Sequence, residues 1–189
     1  MTFALNATDK QYLDALAGSS EPAFDAMFTR YYAGLLRYAK SLLPYPTDAA
    51  EDVVADLFVA VWTQRAQLAV QGSLASYLYA AVKHRSFDKL RQQRRTPIEA
   101  EHDLPLTQPE AAYLQPDQLL DYQELNQHLL QLIERLPERT RQVFQLHRDG
   151  GLTYEEIATL LALSINSVKT HMFRALRFLK SALSVSGVQ

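Results

Sequence analysis

The stretch Gly151–Lys180, GLTYEEIATLLALSINSVKTHMFRALRFLK, restricts the fold more than any other part of the chain. Thr153, followed three residues later by Glu156, has the spacing of a capping box. Ile157, Ala158, Leu160 and Leu161 then supply the apolar side of a short helix. After a break at Ala162–Leu163, Ser164 is placed to cap a second helix. There Ile165, Val168, Met172, Ala175, Leu176, Leu179 and Leu183 recur at steps of three and four residues, which predicts one buried stripe. The opposite face carries Asn166, Lys169, Thr170, Phe173, Arg174, Arg177 and Lys180, and no acidic residue occurs from Ile157 to the C-terminus. A helix apolar on one side and cationic on the other, docked on a shorter capped helix, is how a helix-turn-helix meets the DNA major groove. On this stretch alone, an ordinary amphipathic hairpin with a solvated basic face is the alternative.

The remaining periodicity is helical throughout, which predicts an all-α fold. Thr8–Ala17 is a short helix with Thr8 as cap and Gly18 as stop. Ser20 caps the next, with Pro22 in its first turn; Phe24, Met27 or Phe28, Tyr31, Leu35, Tyr38 or Ala39, and Leu42 follow at helical spacing until Pro44 and Pro46. Asp48 caps a third helix with Glu51 at the capping-box position, and its buried stripe is Val53–Val54, Leu57–Phe58 and Val61–Trp62. Asp52 and Asp56 sit one turn apart on its outer side, a like-charge spacing that mildly destabilises a helix. They read either as a solvated acidic face or as a face kept for a basic partner. Ser73 caps a fourth helix, with Leu74, Leu78, Val82 and Leu90 inside, aromatic at its start and basic at its end. Asp121–Leu136 and Arg141–Arg148 complete the pattern before the turn Asp149–Gly151.

Net charge is only -2, which looks unlike a nucleic-acid binder until its distribution is read. Lys83, Arg85, Lys89, Arg91, Arg94 and Arg95 face Asp88 alone, whereas Glu99–Asp121 carries six acids and no Lys or Arg. Four prolines punctuate Thr96–Leu120, so that stretch reads as an extended tether. The expected organisation is a helical domain over 1–95, an acidic linker over 96–120 and a helix-turn-helix domain over 121–189. In the free chain the acidic tether could screen the basic surfaces.

The chain has no cysteine, which excludes disulfides and thiolate metal sites. Neither a phosphate-binding glycine loop nor a Ser/His/Asp set occurs, and no two of the five histidines are spaced as helical metal ligands. No apolar run approaches the ~20 residues that span a bilayer, and the N-terminus lacks a signal-peptide pattern. The expectation is a cytoplasmic protein that is not an enzyme, holds no metal or cofactor and does not insert into membranes.

Four segments in order resemble the extracytoplasmic-function group of the sigma-70 family of bacterial RNA polymerase sigma factors. AFDAMFTRYYAGLLRYAKSLL resembles the first conserved helix of that family's amino-terminal domain, and DAAEDVVADLFVAVW its polymerase-binding helix. SYLYAAVKHRSFDKLRQQRR resembles the helix that melts and reads the minus-10 element, and Leu136–Lys180 the domain that reads the minus-35 element. The resemblance implies contacts to the clamp coiled coil of the largest core polymerase subunit at Glu51, Asp52, Asp56, Phe58 and Trp62. It implies minus-10 contacts at Lys83, His84, Arg85, Asp88 and Arg91, with Tyr77 and Tyr79 near the melted strand. Minus-35 contacts would fall on Lys169, Thr170, Phe173, Arg174 and Arg177, with Arg148 and Thr153 at backbone phosphates. Core RNA polymerase and promoter DNA are thus the implied partners, together with an anti-sigma factor; the free chain is expected to be a monomer.

Two positions depart from the family pattern. His84 stands where asparagine is usual, and Ala162 where the turn usually has glycine, a substitution that costs more if the backbone needs a positive φ. The other readings are a response-regulator-type activator, since SINSVKTHM resembles that recognition helix too, a helical adaptor that binds only proteins, and an enzyme acting on nucleic acid.

Overall fold

A computed structural model describes residues 7–43, 48–70, 72–95 and 127–185. No strand occurs among them, and the fold is all-α. The first group of helices is α1 (Ala7–Ala17), α2 (Glu21–Leu42), α3 (Asp48–Thr63) and α4 (Leu74–Arg95), with a 3-10 turn at Arg65–Gln67. The second is α5 (127–134), α6 (Glu138–Arg148), α7 (Tyr154–Leu161) and α8 (Ile165–Val185).

In the first bundle α2 lies against both α3 and α4, and α1 closes over α2 and the 3-10 turn. Met27, Leu35, Val54, Leu57, Leu74 and Leu78 are almost wholly buried at the centre. Each contributes on the order of 1.5–3 kcal/mol of apolar burial. In the second bundle α8 runs along α6 and α7, and Val143, Leu146, Leu152, Ile157, Val168 and Ala175 form the interior.

Helix starts follow local chemistry. The Ser20 hydroxyl accepts from the Ala23 amide at 3.3 Å, and Pro22 occupies a first-turn position where no amide donor is needed. The Thr153–Glu156 capping box is complete, with the Thr153 hydroxyl accepting from the Glu156 amide at 3.2 Å and Glu156 accepting from the Thr153 amide at 2.9 Å. Ser164 accepts from the Ser167 amide at 3.0 Å at the start of α8. Between α7 and α8, Ala162 adopts φ 53° and ψ 48°, the left-handed region. The turn therefore does need the conformation that glycine takes without a Cβ penalty.

Several details differ from the sequence expectation. Asp48 lies inside α3 rather than capping it, and α6 begins at Glu138, three residues before Arg141, with Pro137 as its cap residue. Pro137 fixes its own φ and leaves the following amides free to enter a helix turn, so the helix starts as soon as the proline allows. On α8, Ile165 and Leu176 are exposed, at 39% and 53%. Leu176 lies about 100° round the helix from buried Ala175 and so clears the strip that α6 and α7 cover. Pro44 and Pro46, the tether 96–120 and the start of the expected helix at 121 lie outside the described residues. Among the described residues no helix is long and apolar enough to cross a membrane.

Candidate nucleic-acid interface

The cationic face of α8 is open. Lys169, Thr170, Phe173, Arg174 and Arg177 are all exposed, Phe173 at 64%. The Arg177 guanidinium sits 5.8 Å from the Phe173 ring centroid, so a cation and a flat apolar surface are presented together. The Thr170 hydroxyl donates to the Asn166 carbonyl at 2.9 Å within the helix, leaving its oxygen outward. Thr153 is committed to the capping box, donating its hydroxyl to Glu156 at 3.1 Å. Arg148 is exposed and lies 3.6 Å from Asp149. Behind this face the His171 ring meets the buried Thr140 hydroxyl at 3.0 Å, joining α8 to α6. Partial burial lowers the imidazole pKa below its ordinary value, and the cations of Arg174 and Arg139 lower it further.

α4 is different. His84, Asp88 and Arg91 lie on one exposed face, with Asp88 and Arg91 paired to each other. Between them stands Phe87, 44% exposed, which sequence periodicity passed over. The spacing 84, 87, 88, 91 was the available signal: an aromatic on the same helical stripe as His84, Asp88 and Arg91. Tyr77 and Arg85 are half-buried. Tyr79 is a correction to the expected stacking surface, because it is only 1% exposed. Its ring lies 5.5 Å from that of Tyr38, and burial raises its hydroxyl pKa well above the ordinary value. Lys83 is likewise engaged, donating to the Leu160 carbonyl of α7 at 2.6 Å.

On α3 only one of the two acids that helix energetics disfavours is neutralised among the described residues, Asp52 and not Asp56. Glu51 pairs with Lys40 at 3.4 Å, and Asp52 with Lys89 at 3.3 Å. Asp56 forms no ion pair among the described residues. Phe58 is 3% exposed and belongs to the core, so it supports this face from beneath. Phe28 stacks on Tyr32 at 4.8 Å and lies 4.8 Å from Phe58; Phe24 lies 5.1 Å from Trp62. Val59, 64% exposed, continues the stripe of Asp52 and Asp56 and adds an apolar contact that the sequence reading missed. An acidic rim beside exposed Val59 and Phe28 is a surface suited to a basic, partly apolar protein element.

The two bundles touch. Arg37 on α2 pairs with Asp149 at 2.8 Å, Ser73 at the cap of α4 donates to Glu156, and Tyr79 packs against Gly150. A small pocket between them, lined by Gly34, Arg37, Tyr38, Tyr79 and Asp149 among others, has room for at most about one water molecule. No metal-binding group of His, Asp and Glu side chains occurs among the described residues.

The family model described as Sigma-70 region 2 matches residues 27–96, and that described as Sigma-70, region 4 matches residues 127–179. The ECF RNA polymerase sigma factor SigK of Mycobacterium tuberculosis is 26% identical over 184 residues, 92% of this chain and 95% of that protein. The ECF RNA polymerase sigma-E factor of Escherichia coli is 25% identical over 178 residues, covering 89% and 90%. Among solved structures, the sigma factor RpoE in complex with the anti-sigma factor NepR from Bartonella quintana superposes with a TM-score of 0.51 at 22% identity, covering 86% of this chain and 97% of that one. CnrH in complex with the cytosolic domain of CnrY gives 0.50 at 20% identity, covering 94% and 97%.

Proposed function

The chain belongs to the extracytoplasmic-function group of the sigma-70 family, and we propose how its two bundles divide that family's work. It is a sigma factor, which binds core RNA polymerase and directs initiation at particular promoters. Sigma factors are not enzymes; the work is done by binding, and its place is the cytoplasm, where polymerase and promoter are.

The acidic, aromatic-backed face of α3 docks on the clamp coiled coil of the largest polymerase subunit through Glu51, Asp52, Asp56 and Trp62, with Val59 and Phe28 as apolar contacts. α8 lies in the major groove of the minus-35 element. There Lys169, Arg174 and Arg177 take guanine edges or phosphates, and Phe173 meets thymine methyls. α4 takes the opened minus-10 strand on His84, Phe87 and Arg91, whose rings and guanidinium suit stacked bases and phosphates together. Arg148 assists at the backbone. An anti-sigma partner is the natural regulator of such a chain, as the complexes of its structural relatives indicate.

The observation that carries this reading is the unbroken acid-free cationic face of α8 in the segment matched to region 4. A response-regulator activator would need an upstream receiver domain built around a sheet, and residues 27–96 match region 2 instead. Run-off transcription tests the proposal: purified chain added to bacterial core polymerase on a library of promoter fragments should yield transcripts from a subset. Absence of any transcript, with no co-purification of polymerase, overturns it.

A further inference from the structure

The turn that ends α1 has serine where the backbone favours glycine. The Ser20 amide donates to the Ala15 carbonyl at 3.1 Å and the Ser19 amide to that of Leu16 at 2.9 Å, the paired bonds of a Schellman cap. The residue just past the helix in such a cap takes a left-handed backbone, and here it is Ser19, at φ 62°. Glycine is the usual occupant, because it lacks the Cβ that makes this region costly. Gly18 stands one position too early to serve. What serine adds at the strained position is a hydroxyl.

That hydroxyl accepts from Arg65 Nε at 3.1 Å, from the 3-10 turn that follows α3. A second nitrogen of the same guanidinium donates to the Trp62 carbonyl at 2.6 Å. This carbonyl lies in the last turn of α3, where such groups have no helical partner. The guanidinium also covers the Trp62 ring, 4.5 Å from its centroid, while Phe24 of α2 meets the indole edge-on at 5.1 Å. Helix capping accounts for the bond to the Trp62 carbonyl. It accounts neither for the strained serine nor for the cation placed over the ring.

Charge supplies a second argument. The face that Trp62 borders is acidic at Asp52 and Asp56 and suits a basic partner. A cation at its rim repels such a partner, so the charge of Arg65 by itself weakens docking. Any gain from Arg65 has to come through the ring it holds. An aromatic side chain that is ordered only on binding costs affinity, and one already fixed does not.

We infer that Ser19 and Arg65 are positioning residues for polymerase docking. The strained serine fixes the planar fork of Arg65, and Arg65 holds the Trp62 indole in its docking orientation before the partner arrives. This rests on the reading of α3 as the polymerase-binding face.

The test measures binding of the full chain to bacterial core polymerase, with urea unfolding of each variant alongside. Trp62→Ala should weaken binding about thirtyfold, as loss of an interface tryptophan does. Arg65→Ala and Arg65→Lys should each weaken it about threefold to tenfold, the cost of ordering one side chain on binding. Lysine keeps the charge but lacks the fork. In the Trp62→Ala chain, adding Arg65→Ala should change affinity by less than about twofold, since no ring is left to hold. Ser19→Gly should weaken binding about threefold while its urea midpoint stays level or rises, because glycine removes the strain together with the hydroxyl. Native affinity in Ser19→Gly, or an Arg65→Ala loss that persists without Trp62, overturns the brace. Full recovery in Arg65→Lys makes Arg65 a charge contact and overturns it as well. Native affinity in Trp62→Ala overturns the docking reading itself, and the brace falls with it.

Discussion

α4 and α8 are both cation-bearing helices of more than twenty residues, yet their cations are placed in opposite ways. On α8 the buried and exposed residues separate by angle, and Lys169, Arg174 and Arg177 stand clear of the rest of the fold. On α4 the cations are partly committed: Lys83 to Leu160, Lys89 to Asp52, Arg91 to Asp88. A helix that meets DNA as a finished surface needs only its own periodicity. A helix that also holds two bundles together must share its polar groups between structure and recognition.

The sharpest way to break this contrast is to truncate one aromatic on each helix. Tyr79→Ala should lower stability by about 3–5 kcal/mol in urea unfolding, because a large buried ring leaves a cavity. Phe173→Ala should change stability by no more than about 0.5 kcal/mol, as an exposed residue does. Similar losses for the two would mean that α4 and α8 do not differ in this way. Recognition should invert the order. Arg174→Ala should cost about 1–3 kcal/mol at one minus-35 base pair in holoenzyme binding to promoter variants, if the contact is bidentate to guanine. A uniform loss across all variants would assign Arg174 to phosphate.

On α4, Phe87→Ala should weaken binding of the holoenzyme to an opened minus-10 strand by about 1–3 kcal/mol with little effect on duplex minus-35 affinity. Unchanged strand binding would move the stacking surface elsewhere. A smaller effect concerns the turn before α8. Ala162→Gly should raise the melting temperature, by up to about 1 kcal/mol of stability, since glycine relieves the left-handed backbone. The smallest is a pH effect at His171. Its folded pKa lies below the unfolded value, so the folded state prefers the neutral ring. Stability from this site is therefore complete above the ordinary histidine pKa and declines as pH falls below it, levelling once the folded ring is protonated. Denaturation midpoints across that range should fall in the native chain and stay flatter in His171→Gln.

How much was legible in advance follows the same division. The capping box at Thr153, the cap at Ser164 and the buried residues of α7 depend on neighbours three or four positions away, and all were readable. The exposed cations of α8 were readable too, although Leu176 was assigned to the wrong side because it lies at the border of the stripe. The seam was not readable, because Glu156 had a complete local role in its capping box and nothing in its spacing announced a second partner eighty-three residues earlier. Tyr79 was misplaced for the same reason: a tyrosine on a basic helix looks like a stacking platform until Gly34 and Gly150 are seen to make room for its ring. On α3, Asp52 likewise has a partner within the chain, Lys89, thirty-seven residues away and so beyond what helical spacing reveals.

Trp62 is the chain's single tryptophan, and it lies at the edge of the proposed docking face with the Arg65 guanidinium 4.5 Å above its ring and Phe24 beside it. Its indole is half-buried, so its emission is set by the water that remains. The protein therefore carries its own optical reporter at the surface of interest. Any partner that covers α3 will displace that water and shift the emission to the blue, while a partner confined to α8 will leave the spectrum as it was.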